Sequence, residues 1–159
     1  TCLPFEDNSL DCVICSEVLE HIPDDTRAMQ ELLRIVKPGR SLAVSVPRFL
    51  PEKICWLLSK EYPLQDMGHI RIYKKDALIK KIESLGATFL SSHYAHSIHS
   101  PYWWLKCLVG LENSRHLLVD AYHRLLVWDL MKQPRITRCI DQALNPLIGK
   151  SLVLYFKTC

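Results

Sequence analysis

Two short apolar runs separated by one amphipathic segment constrain the fold of this chain more than any other feature. Residues 10–15, LDCVIC, and residues 41–46, SLAVSV, have the composition of strands that are buried on both faces of a sheet. Between them, residues 24–36 carry apolar side chains at helical spacing, and KPG at 37–39 is a stop signal. A strand, a helix and a strand with short connections predict a right-handed parallel crossover, and therefore an α/β fold.

The later part of the chain continues this alternation. Residues 48–73 are irregular, with a short helix predicted at 52–59, and a second helix is predicted at 76–85. Further strands are predicted at 87–96 and 151–157, and the sequence between these two strands is mainly helical.

The composition limits the class of protein. A chain of 159 residues with 48% hydrophobic residues suits one ordinary core, so we predict a single domain. It has neither an apolar run of membrane-spanning length nor a leader pattern, and its seven cysteines are scattered, which together favour a cytoplasmic protein with reduced thiols. The net charge of +3 is not gathered into a basic stripe, so nucleic acid is not an expected partner. The oligomeric state is not indicated.

One cysteine pattern and one histidine pattern resemble the spacing of metal ligands. Cys12 and Cys15 form a C-x-x-C, but residues three apart on a strand point to opposite faces. His93, His96 and His99 form an H-x-x-H-x-x-H series that would also diverge on a strand. We therefore predict no metal ligand and expect His96 to line the mouth of a substrate pocket, with a histidine-metal hydrolase as an alternative.

Several motifs in a fixed order resemble one family. The runs LPFEDNSLDCVICSEVLEHIPDD, ELLRIVKPGRSLAVSVP and GHIRIYKKDALIKKIESLGA resemble the later half of the class I S-adenosylmethionine-dependent methyltransferases. The resemblance implies a Rossmann-like sheet in the order first, second, fourth, third, with the last strand antiparallel. It also implies that residues 1–159 are one partial methyltransferase domain with a helical cap inserted at 97–150. The family's glycine-rich loop would lie before Thr1, so the cofactor cradle is expected to be incomplete here.

The resemblance also suggests the cofactor contacts. The cofactor would be S-adenosyl-L-methionine, and the segment after the first strand passes beside its methionine part. Ser16 and Glu17 are the expected cofactor-binding residues, mainly through backbone groups, together with Cys2 and Leu3.

Two histidines are candidate catalytic residues. By resemblance His21 faces the methyl group, where an imidazole suits removal of a hydroxyl proton, and this slightly favours O-methylation. The alternative is that His21 only packs or caps a helix entry, with Glu20 on the surface. His69 lies in the irregular segment and is expected to close over the substrate.

The run PYWWLKCLVGL at 101–111 suggests the acceptor. Trp103 and Trp104 are predicted to bind a small hydrophobic acceptor, although a helix that simply packs over the sheet also explains them. Such an acceptor would be lipid-like and collected through peripheral contact with a membrane. The function predicted is thus methyl transfer to a small molecule, and the alternative is a noncatalytic binding fragment that keeps the fold.

Overall fold

The computed structural model describes residues 2–64, 68–113 and 116–159. It contains four strands, six α-helices and two short 3₁₀ turns in these residues. In chain order the elements are β1 (Leu10–Ser16), a 3₁₀ turn (Leu19–His21), α1 (Asp25–Ile35), β2 (Val36–Pro47), α2 (Phe49–Leu58), a 3₁₀ turn (Tyr62–Leu64), α3 (Lys75–Glu83), β3 (Ala87–Ala95), α4 (His99–Val109), α5 (Leu117–Lys132), α6 (Arg135–Ile148) and β4 (Ser151–Thr158).

The strands form one sheet in the order β1-β2-β4-β3, as predicted. β1 and β2 pair in parallel through α1, which confirms the predicted crossover. The last strand, β4, is antiparallel to β2. The Thr158 hydroxyl at the end of β4 donates to Lys37 O near the start of β2, and Arg48 N–H just after β2 donates to Lys150 O just before β4. The α/β fold class and the antiparallel last strand are confirmed.

Two expectations about the first strands are wrong. Among the described residues β1 lies at the sheet edge, so only Cys15 on it is buried, and Ile14 is 73% exposed. β2 begins at Val36 rather than at residue 41, and the KPG turn lies inside it as an interruption of the pairing. Pro38 has no N–H to donate and Gly39 adopts φ +74°, which explains why the ladder shifts register there.

The chain divides into two compact units. The first comprises Thr1–Pro47, His69–His93 and Leu152–Cys159, and the second comprises Arg48–Gly68 and Tyr94–Ser151. The first unit contains the sheet, and buried side chains of β2, β4, α1 and α3 form its core, among them Val44, Phe156, Met29 and Ile82. The second unit has its own apolar cluster of Cys55, Tyr62, Cys107 and Leu111.

A buried ionic network at the start of α1 connects distant parts of the first unit. The Asp25 carboxylate accepts hydrogen bonds from Tyr73 Oη and Lys81 Nζ, both at 2.6 Å, and pairs with Arg71 Nη1 at 2.8 Å. Burial alone would raise the pKa of Asp25, but the hydrogen bonds from Lys81 and Tyr73 and the charge of Arg71 hold it below its usual value of 3.8. The network therefore anchors the segment containing Arg71 and Tyr73 to the entry of α1.

We expect Asp25→Asn to lower the free energy of unfolding by about 3 kcal/mol near neutral pH, because two cations lose their buried anion. The folded pKa of Asp25 is below its unfolded value, so this stabilisation is present above about pH 4 and is lost as the pH falls through the folded pKa. Urea unfolding of wild type and variant at several pH values measures the difference, which should shrink in acid. Asp11→Asn, which removes an exposed carboxylate paired with Lys37, is the control and should change little. A pH-independent difference would contradict this account.

Candidate functional site at the carboxyl end of the first strand

The chain turns sharply where β1 ends. Glu17 adopts φ +52°, a left-handed conformation that is uncommon for a residue with a side chain. Its N–H donates to Ser45 O at 2.9 Å and its carboxylate accepts a hydrogen bond from the Ser45 hydroxyl, so β2 holds the turn from both sides. Ser16 is exposed beside it. Backbone strain of this kind, at the carboxyl end of a parallel strand, is typical of ligand sites in open α/β sheets.

The 3₁₀ turn that follows buries an acidic side chain. Glu20 is fully buried, as is Leu19 beside it, whereas His21 is partly exposed. The expectation that Glu20 lies on the surface is therefore wrong. The physical reason is that a distant segment covers the turn: Ile70 N–H donates to Glu20 O at 3.0 Å.

That covering segment is held alongside the turn by two further hydrogen bonds. Arg71 Nη2 donates to Pro23 O at 2.7 Å, and Tyr73 Oη donates to Leu19 O at 3.2 Å. These bonds bring His69, which is 48 positions beyond His21 in the sequence, to the same turn. Both predicted catalytic histidines thus lie in one place.

The three side chains form a compact cluster. Glu20 Oε1 lies 3.8 Å from His21 Nε2 and 4.0 Å from His69 Nε2, and the two imidazole rings are 4.9 Å apart between centroids. One ligand atom from each residue lies within 4.8 Å of the others. Two imidazoles beside one buried carboxylate can accept or donate a proton or hold a cation.

The other predicted cofactor residues have structural partners. Cys2 is exposed. Leu3 N–H donates to Glu31 Oε2 at 3.0 Å, and Leu3 O accepts from Arg34 Nη2 at 3.2 Å. The hydrogen bond from Arg34, followed by that from Leu3 N–H, lowers the pKa of Glu31 to about 2. The backbone of Leu3 is therefore used in tying the N-terminal segment to α1, and its cofactor role stays a prediction.

In the second unit, the predicted acceptor residues pack against an apolar cluster. Trp103 and Trp104 are partly buried against the cluster containing Cys55 and Tyr62, and Trp104 Nε1 donates to Pro51 O at 3.1 Å. Their substrate role stays a prediction. A separate cavity of about 310 Å³ in the same unit is mostly apolar and is lined by residues of α4, α5 and α6 that include Tyr122, Leu125 and Leu144.

The histidine series does not gather into one site. The His93 ring stacks on Tyr155 in the first unit, with the ring centroids 5.7 Å apart. His96 Nδ1 lies 3.3 Å from Ser151 Oγ and its ring is 5.5 Å from that of His99, in the second unit. Burial lowers the pKa of His99. His96 also lines a small cavity of about 80 Å³ with Asp129 and Asp141, while its predicted substrate role stays a prediction.

The C-x-x-C pair has the geometry that the strand spacing predicts. Cys12 is exposed and Cys15 is buried, so they lie on opposite faces of β1. Burial, and then the charge of Glu20, raise the pKa of Cys15 to about 11. Cys15 is thus a protonated packing residue beneath the cluster.

Comparisons with known proteins find similarity to methyltransferases. Residues 1–44 match a family model described as a methyltransferase domain. An uncharacterized methyltransferase of Mycobacterium sp. (strain KMS) is 49% identical over 39 residues, which are 24% of this chain and 16% of that protein. The ubiquinone/menaquinone biosynthesis C-methyltransferase UbiE of Francisella tularensis is 40% identical over 62 residues, 38% of this chain and 23% of that protein.

The fold agrees with this class over nearly the whole chain. A solved complex of the Haloferax volcanii Trm112 methyltransferase activator and a putative methyltransferase matches with a TM-score of 0.58 and 15% identity, covering 98% of this chain and 57% of that one. The predicted resemblance to the class I S-adenosylmethionine-dependent methyltransferases is therefore confirmed in the family model and in the fold. The matched segments span less than a quarter of the two sequence relatives, and the chain spans little more than half of this solved structure. In the described residues, no helix has the length and apolarity to cross a membrane.

We expect an alkylating reagent to modify the two cysteines of β1 at different rates. A thiol with a pKa of about 11 has about a hundredfold less thiolate than one at the usual 9.0, and Cys15 is also buried. Native protein treated with iodoacetamide at mildly alkaline pH should be modified at Cys12 well before Cys15, as measured by peptide mass spectrometry. Unfolding in urea should remove the difference. Equal modification in the native protein would contradict the assigned burial.

Proposed function

We propose that this chain is part of an enzyme that transfers a methyl group from S-adenosyl-L-methionine to a small, apolar molecule bearing a ring hydroxyl. The observation that carries the proposal is the Glu20–His21–His69 cluster, which follows the strained turn at Glu17 by a few residues in a methyltransferase-like fold. A turn at the carboxyl end of a strand is where this fold class binds ligands, and the cluster supplies proton-accepting groups next to it.

The turn after β1 fits the expected cofactor. Ser16 is exposed and the left-handed Glu17 directs the backbone away from the strand, so a ligand can approach main-chain atoms there. When bound, S-adenosyl-L-methionine would supply an electrophilic methyl group on a sulfonium. The chain's own residues would contribute position, since an in-line displacement depends mainly on holding the nucleophile close and aligned.

His21 would accept the proton of the acceptor hydroxyl. As the acceptor oxygen loses its hydrogen, the O–H electron pair stays on the acceptor and the proton passes to the imidazole of His21. His69 and the Glu20 carboxylate lie close enough to orient that ring and to stabilise its charged form. The 32% exposure of the His21 side chain leaves it accessible to a bound molecule.

A ring hydroxyl is consistent with either methylation product. Deprotonating a phenol or a hydroquinone places negative charge on the oxygen and on ring carbons, so the same base activates both. UbiE is named a C-methyltransferase of ubiquinone and menaquinone biosynthesis, which supports a quinone-like acceptor. O-methylation remains our preference because His21 acts directly on the hydroxyl, and NMR of the product would distinguish the two.

Apolar surface in the second unit supports a hydrophobic acceptor. The unit contains the apolar cavity formed by α4, α5 and α6, and α5 exposes large apolar side chains that include Leu117, Leu130 and Met131. Large apolar side chains exposed on a helix favour contact with an apolar partner, and Lys132 follows Met131 with a positive charge. Peripheral contact with a membrane that carries the acceptor accounts for both features.

We expect His21→Ala in the full-length protein to lower kcat for methyl transfer by roughly a hundredfold, the usual scale of general base catalysis. Transfer of a labelled methyl group to a panel of hydroquinones and phenols measures it. Cofactor affinity should change little, because the turn at Ser16 and Glu17 is left intact. A rise in pH should partly restore the rate with acceptors whose hydroxyl ionises unaided.

His93→Ala is the matched control, since His93 stacks on Tyr155 and has no place in the cluster. It should keep the wild-type rate. If His21→Ala kept full turnover and lost only thermal stability, His21 would be a packing residue and the proposal would fail.

We further expect Trp103→Ala and Trp104→Ala to raise KM for the acceptor several-fold while cofactor affinity stays nearly constant. Both side chains offer large apolar surfaces in the unit that we assign to the acceptor. Steady-state kinetics and cofactor titration measure the two quantities, with Leu90→Ala, which removes an exposed apolar side chain of the first unit, as the control. An equal loss of acceptor and cofactor binding, with a lower melting temperature, would identify the two tryptophans as packing residues only.

A further inference from the structure

The Glu20–His21–His69 cluster has the donor set of a metal centre. Two imidazoles and one carboxylate are the ligands of the facial triads that hold divalent transition metals with positions left open. The sequence gives no such pattern at ligand spacing, because His69 is far from the other two residues. In the described part of the chain, this is the one group of three or more such side chains with donor atoms close enough to share an ion.

The donor atoms of the cluster are slightly farther apart than the ligand atoms of one bound ion. Two ligand atoms at about 2.0–2.1 Å from a tetrahedral ion are about 3.3 Å apart. The Glu20 oxygen is 3.8 Å from the His21 nitrogen and 4.0 Å from the His69 nitrogen, and all three donor atoms lie within 4.8 Å of one another. The two separations from Glu20 must therefore close by about 0.5 and 0.7 Å. Direct hydrogen bonds would be shorter than these distances. Rotation of partly exposed imidazoles provides such a movement.

The backbone already holds the three ligands in position. Glu20 and His21 are neighbours in one 3₁₀ turn, and Ile70 N–H binds Glu20 O directly beside His69. The Asp25 network fixes Arg71 and Tyr73 two and four residues further on. A metal would therefore meet a formed site and would not have to gather its ligands from an unfolded segment.

We propose that Glu20, His21 and His69 bind one divalent first-row transition metal ion. Imidazole nitrogens favour Zn²⁺ or Co²⁺ over Mg²⁺ and Ca²⁺, which prefer oxygen ligands. The positive charge of the ion would be placed against the buried Glu20 carboxylate. Three protein ligands leave at least one position for water or for another oxygen.

The ion gives the proposed function a more specific acceptor chemistry. A hydroxyl oxygen bound at the open position would have its pKa lowered by the ion, so that its proton leaves to water while the O–H electron pair stays on the metal-bound oxygen. His21 would then act as a ligand, and the metal would replace it in activating the hydroxyl. The role of the ion in activating a hydroxyl rests on the proposed methyl transfer, whereas the binding of the ion does not.

Metal binding is tested without cofactor or acceptor. Full-length protein freed of metal by chelation is titrated with Zn²⁺ by calorimetry, and with Co²⁺ by visible absorption, which reports nitrogen and oxygen ligation. We expect one ion per chain with a dissociation constant in the micromolar range or tighter. No stoichiometric binding of either ion would overturn the proposal.

Three variants locate the ion. His69→Ala and Glu20→Gln should each weaken binding by more than about a hundredfold, since even changes outside the ligand set cost about 10- to 100-fold. Each variant is first checked for native circular dichroism, and His69→Ala is the more tolerant position because His69 is 16% exposed. His93→Ala is the control and should bind like wild type. Unchanged binding in folded His69→Ala would place the ion elsewhere and overturn the assignment.

The same titrations separate this inference from the proposed function. If the ion binds at the cluster but no methyl transfer is found for any hydroxyl acceptor, the metal site stands and the proposed function fails. If methyl transfer occurs equally in metal-free protein that does not bind Zn²⁺ or Co²⁺, the proposed function stands and the metal site is refuted.

Discussion

The buried carboxylate of Asp25 is the interaction on which the candidate site depends. It is located at the first residue of α1 and binds Tyr73, Lys81 and Arg71, which follow it by 46 to 56 positions in the sequence. A buried anion is costly unless it is paired, and here three groups pair with it. The entry of α1 and the segment at 69–73 are consequently fixed to each other, and His69 is fixed beside His21 by the same bonds.

This arrangement separates two tasks between two acidic residues near one turn. Asp25 anchors the segment at 69–73 to α1. Burial raises its pKa, but the hydrogen bonds from Lys81 and Tyr73 outweigh this effect and hold the pKa below its usual value. The Glu20 carboxylate lies 3.8 Å from the His21 imidazole and 4.0 Å from the His69 imidazole. The anchoring of the segment at 69–73 thus depends on Asp25, whereas Glu20 is the acidic residue beside the two histidines.

The sequence predicted the elements that depend on local patterns. The crossover from β1 to β2, the sheet order, α3 and the two later strands follow from apolar spacing and from the family resemblance, and they are present within a few residues of their predicted bounds. The extent of β2 was missed, because a Pro-Gly turn indicates an end to a strand although pairing resumes beyond it. The burial of β1 was overestimated, since an apolar run does not reveal how many neighbours a strand has.

The candidate site was predicted in part, and the wrong predictions about it have a different origin from those about the fold. His21 and His69 were each identified as candidates, but nothing in the spacing of residues 48 positions apart shows that they meet. Glu20 was assigned to the surface because acidic residues are mostly exposed. The signal that could have corrected this is the pairing of the GHIRIY segment with the turn after β1, which is a tertiary contact and leaves no periodic trace in either segment.

The charge of the cluster limits how it can work. A fully buried carboxylate is stable only where positive charge or hydrogen bonds compensate it. An imidazole supplies positive charge only when it is protonated, and a protonated imidazole cannot accept a proton from a substrate. A divalent ion would supply it at neutral pH and leave both imidazoles as neutral ligands. Proton acceptance by His21 and metal binding by the cluster are therefore alternative roles, because in the proposed metal-bound state His21 is a ligand and the ion activates the hydroxyl.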